Sequence, residues 1–262
     1  HCPGERTPPS AAKKFLKSLI AQIPLYSADH FIAVTDFVHR RHIEVNCLPE
    51  NRCSVAPNGI TPIDLDSADP EYAYHVFDIP ANRSIVVTTG RATHYKRIDF
   101  FIECAHELIC NKNLDRLHFL FCGDGPDLEP LKSLVDGFNL NQHFTFAGKR
   151  NDVRQILPSC DIGFHAAYGE VGYSLSILEY MSAGLATVIP DNPSISGATI
   201  NGKTGLLYEP NDLSSACDAI TRCLDPDFSQ LLASNAVNEV ANNYNISNTN
   251  LKLLQILDAV FN

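Results

Sequence analysis

A chain of 262 residues with 45% hydrophobic content buries a full core, and its length suits one large domain or two small ones. A net charge of −10 argues against nonspecific attraction to nucleic acid or anionic lipid, because neutralising phosphates takes an excess of basic residues; a local basic pocket stays open. No apolar run approaches the ~20 residues that a membrane span needs, no secretory signal opens the chain, and nine cysteines without a CxxC pair read as reduced thiols; a soluble cytoplasmic protein is expected.

The chain opens on His1 and carries one methionine, Met181, which reads as a piece of a longer protein. A Pro-rich opening leads into residues 11–26, whose apolar positions recur at three and four as in an amphipathic helix. Residues 31–34 make a short strand, Thr35 caps a helix over 36–45, and 53–56 make a second strand closed by Pro57-Asn58-Gly59.

From Ser84 onward, strand and helix signals alternate at the spacing of βα units. Strands are predicted over 85–89, 118–122, 144–147, 161–165, 186–189 and 205–208. Helices are predicted over 97–110, 128–138, 152–157, 174–183 and 213–223. The pattern predicts an α/β fold with a doubly wound parallel sheet, which binds ligands beyond its strand carboxyl ends. A last amphipathic helix over 245–262 leaves Leu254, Leu257 and Phe261 on a partly exposed stripe.

The polar clusters lie at those carboxyl ends. Gly90-Arg91 and then Lys96-Arg97 follow the strand over 85–89; two cations beside a glycine turn suit a diphosphate, or stand simply solvated. Gly123 and Gly125, in Gly-Asp-Gly-Pro, follow the next strand, either as a plain turn or against a ligand. Lys149 and Arg150 follow the third. The most informative stretch begins at Gly169, where a Gly172-Tyr173-Ser174 turn runs into a helix carrying Glu179, with Leu175, Leu178 and Ser182 at the spacing of a buried face. Free amides opening that helix make an anion site, and Glu179 is either a salt-bridged helix acid or a ligand group. Asp64-Leu65-Asp66 and Asp225-Pro226-Asp227 read as solvated loop acids. The histidines make no metal-ligand spacing, so no metal is expected, and neither GxSxG nor a Walker lysine occurs.

Gly172-Tyr173-Ser174-Leu175 with Glu179 resembles the signature of retaining GT-B-fold glycosyltransferases of the group 1 family (family 4), where an acid, a Gly-Phe-Gly-Leu turn and a helix glutamate form E-x7-E. Here Ser174 stands for the second glycine, Val171 occupies the place of the first acid, and Glu170 one residue earlier gives E-x8-E. The resemblance implies a nucleoside-diphosphate-sugar donor, with no further cofactor, and transfer of its sugar to a carbohydrate or lipid-linked acceptor hydroxyl with retention of configuration. It implies Arg91 and Lys96 on the pyrophosphate, with Gly90, Gly123, Gly125, Lys149 and Arg150 lining the nucleotide cleft. It further implies the turn amides on the diphosphate, Glu179 on the ribose, Glu170 toward the sugar and His1 as the active-site histidine. By the same resemblance, residues 1–62 are the remnant of a second Rossmann-like domain on the acceptor side plus the hinge, 63–244 the donor domain, and 245–262 a helix returning to the N-terminal lobe. Peripheral association with the inner face of the membrane through that lobe is the accompanying expectation, and this chain by itself is expected to bind donor but transfer sugar poorly. A nucleotide-sugar epimerase and a non-catalytic donor-binding or scaffolding module are the alternatives.

Overall fold

The computed structural model describes residues 9–21, 28–167, 170 and 172–261. Two parallel sheets organise them. β1 (Phe31–Ala33) and β2 (Cys53–Val55) pair with each other, with α2 (Asp36–Glu44) between them. The Thr35 hydroxyl accepts the Val38 N–H at 3.1 Å and so begins α2 as a Ser/Thr cap does. Ahead of them, α1 (Ala11–Ala21) leaves Phe15 and Leu16 exposed, and Lys17 Nζ donates to the Val45 carbonyl at 3.0 Å.

The larger sheet has six strands: β3 (Ser84–Thr89), β4 (Leu117–Cys122), β5 (Phe144–Phe146), β6 (Ile162–Phe164), β7 (Ala186–Pro190) and β8 (Leu206–Tyr208), in the order β5-β4-β3-β6-β7-β8, all parallel. These are near-continuous apolar runs, as strands covered on both faces require. Alternate residues face opposite layers. Val86, Phe119, Phe121, Ile162 and Phe164 pack under α4 (Ile98–His106), α5 (Leu128–Gly137) and α8 (Leu213–Arg222), while Ile85, Val87 and Leu120 pack against α3 (Tyr72–Phe77), α6 (Val153–Ile156) and Tyr180 of α7 (Leu175–Ser182). Phe101 sits centrally in the first layer, edge-on to Phe119 and Phe144 and stacked on Phe164. The order reverses direction between β3 and β6, so the crevice beyond their carboxyl ends is the topological switch point, where doubly wound sheets take ligands.

The predicted parallel α/β sheet is therefore present, with strand bounds shifted by a residue or so. Two expectations need correction. Asp225-Pro226-Asp227 is not a surface loop: Asp225 accepts the Phe228 N–H at 2.9 Å and caps the 18-residue α9 (Pro226–Asn243), with proline at the first helical turn. Leu175 does not belong to the buried face; it is 48% exposed, whereas Ile177, Leu178, Tyr180 and Met181 are fully buried. The final helix, α10 (Ile246–Phe261), leaves Leu254, Leu257 and Phe261 exposed as expected.

Two chain crossings join the small sheet to the large one. Ile60 and Ile246 exchange backbone bonds through Tyr244 and Ile60 carbonyls, each at 2.9 Å, and Thr249 donates to the Pro57 carbonyl at 2.8 Å. Among the described residues no helix is long and apolar enough to cross a membrane.

Candidate donor site at the sheet switch point

The loop after β3 is fixed from below. Tyr180 is fully buried, and its hydroxyl accepts the Thr89 N–H at 2.7 Å and lies 3.0 Å from Thr89 Oγ1, pinning the strand end where Gly90 and Arg91 begin. The loop after β4 interlocks with it. Gly90 N–H donates to the Cys122 carbonyl at 3.1 Å, Ala92 N–H to the Asp124 carbonyl at 3.0 Å, and Asp127 N–H to the Ala92 carbonyl at 3.2 Å. A Cβ on Gly123 would stand 1.8 Å from the Gly90 oxygen and one on Gly125 2.3 Å from the Ala92 oxygen, so both glycines serve the approach of two backbones. Gly123 and Gly125 thus shape the rim that presents Arg91.

Arg91 is exposed and has no ion-pair partner among the described residues. Lys96 ends a short 3-10 turn and folds back over Gly90, its side chain 16% exposed. Its ammonium meets Glu170 Oε1 across the switch point, while Glu170 Oε2 lies 3.0 Å from His165 Nε2. Burial pushes the Glu170 carboxyl up, but the His165 hydrogen bond and the charges of His165 and Lys96 outweigh it and hold the group at about 2. Both carboxylate oxygens thus have a partner within the protein; Val171 and His1 lie outside the described residues.

Gly172 has φ +81° and is buried, and a Cβ there would come within 2.8 Å of Val34 Cγ2, so glycine lets the turn pass tight against β1's end. Tyr173 points away from the crevice: it is 6% exposed, meets Tyr244 edge-on at 5.3 Å, and donates to the Asn58 carbonyl at 3.0 Å. Ser174 is the N-cap of α7 with extended backbone and makes no side-chain cap hydrogen bond among the described residues; Ile177 N–H bonds back to the Ser174 carbonyl at 3.0 Å, and the helix dipole gives an electropositive end beside Leu175. A cavity of about 320 Å³ adjoins this turn, lined by Thr35, Phe37, Arg40, Tyr173 and Ser196 among others. Glu179, one helical turn on, is half-buried and makes no hydrogen bond among the described residues; burial raises its carboxyl, with Arg154 opposing.

The loop after β5 divides its two cations. Arg150 forks onto Asp152 (2.8 and 2.5 Å) and lies over the Phe77 ring, and Tyr72 also donates to Asp152 at 2.8 Å. The Arg150 hydrogen bond, opposed by burial and helped by Tyr72, holds Asp152 at about 2. Arg150 is thus committed to the fold, whereas Lys149 is exposed. Sequence reasoning passed over His165 and Tyr180; their signal is a polar group at the end of an apolar strand run and in the middle of an apolar helix. The loop acids Asp64 and Asp66 close their own turn, with Ser67 donating to Asp64 at 2.9 Å.

Known proteins resemble this chain in sequence and in fold. An Escherichia coli UDP-Gal:alpha-D-GlcNAc-diphosphoundecaprenol alpha-1,3-galactosyltransferase is 28% identical over 201 residues, 74% of this chain and 51% of that protein. The alpha-D-kanosaminyltransferase of Streptomyces kanamyceticus is 29% identical over 63% of this chain and 43% of its own length. The chain thus spans about half the length of the relatives it matches. Among solved structures, Anabaena Alr3699/HepE in complex with UDP superposes with a TM-score of 0.83 at 18% identity, over 95% of this chain and 68% of that one. A glycosyltransferase from Rickettsia africae gives 0.81 at 20% identity, over 97% and 68%. The sequence pattern of the family described as Glycosyl transferases group 1 matches residues 83–226, which is the whole large sheet and its crevice. The chain belongs to the group 1 glycosyltransferases.

Proposed function

We propose that this chain supplies the donor side of an enzyme that transfers a sugar from a nucleoside-diphosphate sugar to an acceptor hydroxyl with retention of configuration. The observation that carries the reading is that Lys96, from the loop after β3, reaches Glu170 in the loop after β6, four residues before the N-cap of α7, across the switch point, with exposed Arg91 following the same β3 end. A diphosphate is the ligand whose charge such a set compensates. In the reaction the bond between the anomeric carbon and the diphosphate oxygen breaks, the acceptor oxygen bonds to that carbon, and the hydroxyl proton passes to the released diphosphate. Arg91 and Lys96 oppose the charge growing on the leaving group, and the amides at the start of α7 add fixed dipoles. Glu179, a carboxylate without a hydrogen bond among the described residues, accepts from the ribose hydroxyls.

Uridine is the first base to test, because the Escherichia coli relative is named for UDP-Gal and HepE was solved with UDP. The same relative's name specifies a diphosphoundecaprenol acceptor, which makes a lipid-linked glycan, met at a membrane surface, the acceptor class to try first. Titrating the protein with UDP, GDP and ADP in EDTA, followed by glycosyl transfer and product anomer analysis, tests the reading. Binding of one nucleotide and an axial-to-axial product support it; an inverted product would overturn retention alone.

A further inference from the structure

We infer that Glu170 is the resting counter-ion of Lys96, positioned by His165, and that the donor's diphosphate takes Lys96 away from it. The inference rests on the donor-site reading above. Its basis is the saturation of the carboxylate: Lys96 Nζ holds Oε1 and His165 Nε2 lies 3.0 Å from Oε2. The histidine end of this relay is rigid. His165 is 2% exposed, its N–H donates to the Val188 carbonyl at 2.9 Å, and its carbonyl accepts from the buried Tyr208 hydroxyl at 3.1 Å. The lysine end is held by the carboxylate alone among the described residues: its stem lies over Gly90, which has no side chain, with Cε 3.8 Å from where a Cβ would be.

Charge accounting gives the consequence. Without ligand, Lys96 faces the Glu170 carboxylate; with a diphosphate bound, that carboxylate opposes the ligand while His165 keeps it in place. Glu170 therefore keeps Lys96 in the crevice at a cost in affinity. The exchange moves one ammonium between two anions and breaks no covalent bond.

Calorimetry with UDP and with UDP-galactose on wild type, Glu170→Gln, His165→Leu and the double variant tests this, with melting temperatures recorded for each. Glu170→Gln is expected to bind both ligands tighter by the same factor, about fivefold, the worth of one half-screened charge pair. His165→Leu is expected to weaken both by letting Glu170 close on Lys96, and that loss is expected to vanish in the double variant, which a purely structural role would not produce. Unchanged UDP with weakened UDP-galactose in Glu170→Gln would make Glu170 a sugar ligand and overturn the inference, and so would no change in either. Uptake by the Glu170→Gln variant alone would support it strongly. Uptake by neither protein would remove the donor site itself, a failure distinct from wild-type binding that Glu170→Gln leaves unmoved.

Discussion

The two ends of the same six-stranded sheet use their polar residues in opposite ways. At the amino end, His118 is 5% exposed between Thr145, 2.9 Å from its Nε2, and Arg83, 3.4 Å from its Nδ1. Arg83 also donates to the Gln142 carbonyl, His143 Nδ1 lies 2.9 Å from the Leu117 carbonyl, and Asp161 accepts the Ile85 N–H at 2.7 Å. Each group there is consumed by neighbouring chain. At the carboxyl end, Lys96–Glu170–His165 and Arg150–Asp152 are paired too, but Arg91 and Lys149 stand exposed, and among the described residues Ser174 makes no cap hydrogen bond to α7 and half-buried Glu179 makes no hydrogen bond. Satisfied polar groups hold a fold, whereas unsatisfied ones carry binding capacity, and parallel strands put the second kind at one edge.

The sharpest break of that contrast would come from the structural part of the carboxyl edge. Gly123→Ala places a methyl 1.8 Å from the Gly90 oxygen, and we expect a loss of about 3–4 kcal/mol in urea unfolding, with donor binding lost alongside, because two backbones must separate. Next in size is a pH effect at the amino edge. Burial first, then the charges of Arg83 and His143, push His118 down to about 4 from its ordinary 6.5. The folded state therefore resists protonation, so stability is complete above pH 6.5 and falls by up to about 3 kcal/mol as pH drops through 4. Glu170 titrates in a separate window: its carboxyl is held at about 2, below its ordinary 4.5, so its contribution persists above 4.5 and is lost as pH falls toward 2. Unfolding curves of His118→Gln against wild type at stepped pH values check the upper window, where the variant is expected to show the flatter slope.

At the ligand-facing residues the pattern should invert, with binding changing and stability holding. Arg91→Ala is expected to weaken nucleoside diphosphate binding about 30-fold, the worth of a charge-assisted contact, with a melting temperature equal to wild type. Smaller still is Tyr173→Phe. It deletes only the hydroxyl that donates to Asn58 at the chain crossing, and a loss of about 1 kcal/mol in unfolding free energy is expected, with UDP affinity retained.

The strands were legible because runs such as Ser-Ile-Val-Val-Thr-Thr and Leu-His-Phe-Leu-Phe-Cys are apolar enough to be buried on both faces. Glycine and cation positions after them were legible too, since turns announce strand ends. α9 went unread although Asp225 and Pro226 form a start signal, because its Asn-rich sequence gives little apolar periodicity and the acids suggested a loop. Leu175 kept helical spacing with Leu178, yet it stands 48% exposed at the first position of α7, while the buried face runs through Ile177, Leu178 and Met181. The Lys96–Glu170–His165 relay could not be read at all: its lysine and carboxylate lie 74 residues apart, and only the β3–β6 adjacency joins their loops.

The most direct test of the donor site is calorimetric titration with UDP, GDP and ADP, comparing wild type with Glu179→Ala. Burial raises the Glu179 carboxyl, so its charged form is a burden on the free protein at neutral pH, lifted as pH falls. The account predicts that one nucleotide binds wild type, and that Glu179→Ala loses affinity without any fall in melting temperature. Binding undiminished by the substitution, or no binding of any of the three at millimolar concentration, would contradict it.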